Sequence, residues 1–205
     1  MTRRKTMIES EPTIQGLGDE QARFNVYCEH VPPLSRYQQL AKVEPVKAGE
    51  LKDIGDSTSN HWRKIFNVYA KLQFELEPQQ YETWQQLRDD WLLQANSYVS
   101  LLFQPSSFEN SFDCNKVESN KVESSKELKP EPIHIVMGKT YGVKLCEKYF
   151  DRTGKEISLF WATPEFAICQ SKNLIICPYF DYRQLSNIKI TQLVGLINHL
   201  SVSKQ

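Results

Sequence analysis

A chain of 205 residues with 40% hydrophobic side chains, including four Trp, nine Tyr and ten Phe, can build one well-cored domain. Lys plus Arg equals Asp plus Glu at 25 each, so the basic surplus that usually marks a phosphate-binding surface is missing. No stretch reaches the roughly 20 apolar residues of a membrane span, which excludes a membrane partner of that kind.

The opening MTRRKTMIESEPTIQGLGDE has basic residues but no apolar segment behind them, so it does not read as a secretory signal. The five cysteines (28, 114, 146, 169 and 177) are odd in number and form no C-x-x-C pair. That pattern argues against zinc and against a disulfide framework, and suits a reduced cytoplasmic protein with packed thiols. No metal and no cofactor is expected. Charge is uneven along the chain: residues 131–205 carry nine Lys and Arg against six Asp and Glu. This permits a local anion site without requiring one.

In chain order, residues 1–21 are polar and lack a sustained period, the pattern of a flexible tail. Arg23 to Glu29 reads as a strand with Phe24, Val26 and Cys28 on one face, stopped by His30-Val31-Pro32-Pro33. Residues 34–57 look like irregular connections around Gly49 and Gly55. A helix is predicted from the Ser57–Asn60 cluster, with Trp62, Ile65, Phe66 and Tyr69 at i, i+3, i+4 and i+7. A second, longer helix is predicted from Pro78 to about Phe103, along the stripe Trp84, Leu87, Trp91, Ala95, Tyr98 and Leu102.

Between about 110 and 131 the composition turns polar, with a five-residue repeat (Asn115–Ser119, Asn120–Ser124), and reads as a disordered insertion. Ile133–Met137 is then a strand, closed by Gly138-Lys139-Thr140 and followed by a helix to about Phe150 with Val143, Cys146, Tyr149 and Phe150 inward. Glu156–Trp161 reads as a strand and Pro164–Cys169 as a short element. Leu174–Cys177 is a buried strand that opens through Pro178 into Tyr179, Asp181, Tyr182 and Arg183. A terminal helix carries Ile190, Leu193, Val194, Ile197 and Leu200 on one face. Strands alternating with helices predict one α/β domain over 22–205: three layers, a mostly parallel sheet, helices on both faces.

Three places carry groups suited to chemistry. Gly138-Lys139 lacks the glycine a phosphate loop needs five positions earlier, where Ile133 stands, so a nucleotide-hydrolase motif is excluded. Amides at that helix start, with Lys139, remain suited to an anion, against the plain reading of a tight turn with a solvated lysine. Asp181 and Arg183, flanked by Tyr179 and Tyr182, offer a carboxylate to orient water, a guanidinium clamp and two stacking rings. The plain alternative there is an Asp–Arg pair stabilising a turn. Glu29-His30, at the end of the first predicted strand, joins them in one cleft if the three strands are neighbours. His61, His134 and His199 read as a helix-start polar group, a strand residue and a surface residue, with no spacing that suggests metal.

Ile135-Val136-Met137-Gly138-Lys139 and Ile175–Arg183 together resemble the C-terminal half of the uracil-DNA glycosylase superfamily. Where that family carries His-Pro-Ser, this chain has Tyr179-Phe180-Asp181, so the loop histidine is missing. Cys28-Glu29-His30-Val31-Pro32 is similar to the family's first motif only in ending a strand on an acid and a proline. The resemblance implies a glycosylase-like nucleic-acid-binding protein or hydrolase: Tyr179 or Tyr182 would stack on a base, Lys139 and Arg183 would meet phosphate, and Asp181 or Glu29 would orient water. The whole chain also resembles an uncharacterised bacterial protein family, which implies no function. Two other readings stand beside it. One is a non-catalytic module holding a protein partner; the other is an enzyme acting on a phosphorylated small molecule.

Overall fold

Four apolar runs, FNVYC, VSLLF, IHIVM and LIIC, bury nearly every residue they contain. Runs covered on both faces are the pattern of parallel strands, and these four pair side by side in parallel. The computed structural model describes residues 14–77, 80–103, 108 and 131–202. Its strands are β1 (Gln15–Gly18), β2 (Phe24–Cys28), β3 (Val43–Glu44), β4 (Val99–Phe103), β5 (Ile133–Met137), β6 (Phe160–Trp161), β7 (Ala167–Cys169) and β8 (Leu174–Cys177). The helices are α1 (Ser35–Gln38), α2 (Glu50–Ser57), α3 (Asn60–Leu76), α4 (Trp84–Asp90), α5 (Lys139–Thr153) and α6 (Asn187–Val202).

One eight-stranded mixed sheet has the order β3-β1-β4-β2-β5-β8-β7-β6. The fold is α/β and its sheet is mostly parallel, with β1 antiparallel to β4 and the β6–β7–β8 end antiparallel. Strand side chains alternate between two core clusters. Val26, Leu101, Ile135 and Ile175 pack with Ile54, Phe66, Leu87 and Leu193 from α2, α3, α4 and α6. Tyr27, Leu102, Val136 and Ile176 pack instead with Tyr141, Leu145 and Tyr149 of α5.

Several expectations change. Part of the stretch read as a tail is β1, inserted between β3 and β4; residues 1–13 lie outside the described residues. Its composition disguised it, because Gly16 contributes no side chain. A Cβ there would stand 2.5 Å from the Leu101 carbonyl oxygen, so the glycine permits the strands to close. The irregular region 34–57 contains α1, β3 and α2. Of these, α1 and α2 are tied by Glu50, which is buried, accepts from Tyr37 Oη at 2.6 Å and pairs with Arg36 at 3.0 Å.

The long helix to Phe103 is two elements. After α4 the chain turns through Leu93, Asn96 and Tyr98, all at positive φ, and enters β4 in the middle of the sheet. Its apparent stripe came from side chains on a helix, a turn and a strand, and a five-residue apolar run cannot be assigned by period alone. Phe150 is 51% exposed rather than inward, since α5 buries Tyr141, Leu145 and Tyr149. The strand expected at Glu156–Trp161 shrinks to Phe160–Trp161. Pro78 and residues 110–130 of the expected insertion, with its repeat, lie outside the described residues. The helix from the Ser57–Asn60 cluster, the strands at 133–137 and 174–177, and the buried face of the terminal helix stand as read.

Candidate active site

The chain makes β2, crosses to β4 on one side, then places β5 and β8 on the other. By order of appearance the parallel centre is therefore 2-1-3-4, and its direction of growth reverses between β2 and β5. Ligands in such sheets bind outside the carboxyl ends of the strands at that reversal. The residues there are Cys28-Glu29-His30 after β2 and Gly138-Lys139 after β5. Cys177-Pro178-Tyr179 follows from β8, which pairs with β5 through Met137 and Cys177.

A hydrogen-bonded chain occupies this edge. Tyr179 Oη lies 3.6 Å from Cys28 Sγ and 3.0 Å from His61 Nε2. His61 comes from the first turn of α3. Its ring stacks on Tyr179 at 5.4 Å between centroids and meets His30 edge-on at 5.5 Å. Gly138, at φ 100, brings the start of α5 against the Tyr179 ring, where a Cβ would approach to 3.5 Å. Burial pushes the Cys28 thiol up to about 11, so it is a protonated thiol and not a nucleophile near neutrality. Burial first, then Cys28 and after it Glu29, also push Tyr141 and Tyr179 upward, keeping both phenols neutral. His61 is held below the usual imidazole range by burial first and His30 second, while Asp181 pulls the other way. At neutral pH it is a neutral ring, competent as donor or acceptor. Glu29 and His30 are exposed at the rim.

Asp181 adjoins this group and is committed elsewhere. Its Oδ2 accepts from Lys64 Nζ at 2.7 Å, and its Oδ1 accepts from the Arg183 amide at 2.9 Å. The lysine hydrogen bond, foremost, holds its carboxyl below the usual range. This is the turn-stabilising arrangement, with Lys64 and not Arg183 as the ionic partner. Lys64 also lies 4.8 Å from the centroid of Tyr182, whose ring is 52% exposed. Lys139 turns away, donating to the Pro164 carbonyl at 2.9 Å over the Trp161 ring. Arg183 is exposed.

Glu29, Gly138 and Tyr179 thus share one edge, Asp181 and Tyr182 flank it, and the Lys139 ammonium faces β6. Sequence reasoning missed Lys64, and assigned His61 only a helix-start role. Both fall in the first turns of α3 at i and i+3, a spacing that marks a common helix face but not the partner it meets. Among the described residues, no group of three His, Cys, Asp or Glu is arranged to hold a metal ion, and no helix is long and apolar enough to cross a membrane. The four described cysteines are free thiols.

No curated protein and no solved structure matches the chain. A family match does cover both halves of the sheet and every residue of this edge, from residue 15 to residue 198: the chain belongs to the family of unknown function DUF6942.

Proposed function

We propose that the protein is a glycosylase-like hydrolase that cleaves base–sugar bonds in nucleic acid at the carboxyl edge of β2 and β8. The observation that supports this most is the convergence of Glu29 and His30 from β2, His61 from α3 and Tyr179 from β8 at the reversal of the sheet. In this reading the sheet is the middle of three layers, with α5 over one face and the other long helices over the second. The two separate core clusters favour that arrangement.

Glu29 takes a proton from water, and the water oxygen attacks the anomeric carbon as the bond to the base nitrogen breaks. The leaving base departs with the bond's electrons as an anion, is stabilised by a hydrogen bond from a neutral histidine ring, and takes its proton from solvent water. His61, supplied by α3, does in space what the missing loop histidine would do. Tyr179 positions His61, and the exposed Tyr182 ring is the stacking surface for the extruded base. Arg183, exposed at the rim, contacts backbone phosphate, while the Lys139 ammonium stays with the Pro164 carbonyl. Asp181 holds the loop through Lys64 and leaves water activation to Glu29.

The test is base release from single- and double-stranded oligonucleotides carrying uracil or hypoxanthine, at low salt, read by chromatography. Release that disappears in Glu29→Gln supports the reading. Absence of both release and strand binding sinks it. A stoichiometric protein partner lost on Tyr182→Ala, without nucleic-acid binding, assigns an interaction role instead.

A further inference from the structure

At the opposite edge, where the central strands begin, α3 and α6 end on either side of a cleft of about 900 Å3. That volume lies within the roughly 300–1,000 Å3 of ordinary small-molecule sites. Phe24, Trp91 and Tyr98 contribute aromatic wall, and Gln73 and Asn173 contribute amides. Both amide residues are only 6% exposed, yet Gln73 Nε2 has no acceptor and Asn173 Oδ1 has no donor. Turning the Asn173 amide over does not help. Its Nδ2 faces Glu131 Oε2 and the Pro132 carbonyl at 3.5 Å each, and a flip would set oxygen against oxygen. One donor and one acceptor are therefore left over at the same cleft, where buried polar groups are normally paired.

The backbone points to the same place. Asn96, Tyr98 and Asn173, all lining the cleft, hold φ of 63°, 55° and 47°. Left-handed backbone in non-glycine residues is costly and concentrates at ligand sites. Charge narrows the ligand. Glu77 and Glu131 stand against Arg23, whose guanidinium already lies 4.9 Å from the Tyr98 ring centroid. The carboxyl ends of α3 and α6 add partial negative charge. An anion is disfavoured here, whereas a flat, uncharged ring bearing both a donor and an acceptor fits.

We propose that this cleft binds an uncharged nucleobase or nucleoside, with Gln73 donating to a ring acceptor, Asn173 accepting from a ring donor, and the base lying against Trp91 and Tyr98. It shares no residue with the edge built around Glu29, so either proposal can fail alone. The terminal torsion of each amide is soft, so a modest rotation presents Nε2 or Oδ1 to the ligand.

Calorimetric titration of the full chain with adenosine, guanosine, cytidine and uridine, and with their 5′-monophosphates, tests this. At least one nucleoside should bind one-to-one, at least tenfold more tightly than its own monophosphate. Gln73→Met, which keeps the volume and removes the donor, should weaken that binding at least tenfold without lowering the melting temperature. Asn173→Gly, compatible with the backbone angle, should do the same, and Gln73→Met carries the test if the glycine variant does not fold. In NMR titrations the side-chain amides of Gln73 and Asn173 should shift. No nucleoside binding at millimolar concentration, equal binding of the monophosphates, unchanged binding in Gln73→Met, or shifts confined to His30 and His61 would each overturn the proposal.

Discussion

Tyr179 and His61 stand 118 residues apart in the chain, yet their polar atoms meet at 3.0 Å and their rings stack at 5.4 Å. One phenol hydroxyl therefore fixes the orientation of an imidazole carried by a different element. Tyr179→Phe keeps the stacked ring and removes that hydroxyl, and base release should fall roughly 10- to 100-fold, mostly in kcat. Burial, and then His30, hold the His61 ring below the usual imidazole range, so the acid limb of the pH–rate profile should fall where that ring gains its proton and should move in the variant. NMR titration of the His61 ring beside the rate profile separates a positioning role from lost packing. An unmoved limb with unchanged kcat defeats this assignment.

Glu29→Gln is the sharper variant. The carboxylate is exposed, so its loss should leave the melting temperature within about 1 °C while base release drops by at least roughly 100-fold. Asp181→Asn should instead lower stability and leave most of the rate. The reverse pattern would move water activation to Asp181.

His134 provides a pH test of the core. It is buried, bonded through Nδ1 to Tyr27 Oη at 2.8 Å, and burial holds its pKa down to about 3. Between pH 6.5 and about 3 the unfolded chain binds a proton that the folded chain refuses, so stability falls as pH falls through that window. The full difference of about 3.5 units corresponds to about 5 kcal/mol at most. Urea midpoints measured from pH 7 to pH 4 should decline steeply, and His134→Asn, which retains a polar atom near Nδ1, should flatten the slope.

Lys64 and Asp181 form a half-buried pair, with side chains 17% and 21% exposed. Lys64→Met should cost about 1 kcal/mol, more than a fully exposed pair is worth because Asp181 is left without its cation. Since the Asp181 carboxyl is held below its ordinary range, the pair's contribution is present above about pH 4 and is lost as pH falls further. A double-mutant cycle with Asp181→Asn at pH 7 and pH 3 measures it. A coupling unchanged between the two would exclude the ionic account.

Gly16→Ala tests the closure of β1 on β4. The obstacle for a new methyl is the Leu101 backbone oxygen at 2.5 Å, which cannot rotate away. Destabilisation of about 1–3 kcal/mol is expected in chemical denaturation, by displacement of β1.

Legibility followed the density of side-chain information. The runs at 133–137 and 174–177 were readable because a strand buried on both faces writes itself as continuous Ile, Val and Leu. β1 was not, since half of Gln15–Gly18 is glycine and its place is fixed by backbone pairing with β3 and β4. β4 was misread because Trp84, Trp91 and Tyr98 continue a helical spacing past Asp90, and nothing local announces three left-handed residues. At the candidate site, Glu29, Gly138 and Tyr179 were named from their positions at strand ends. His61 gained its place there only through the packing of α3 on the sheet.

Among the described residues the sheet ends on β3 and β6, each two residues long. Strand edges expose unpaired amides and carbonyls that another chain can extend, and very short edge strands limit that risk. The long apolar strands all have neighbours on both sides, so their backbone groups are already paired within the molecule. The segments most prone to aggregate thus lie inside the sheet, and the two strands left at its edges are too brief to be good templates for another chain.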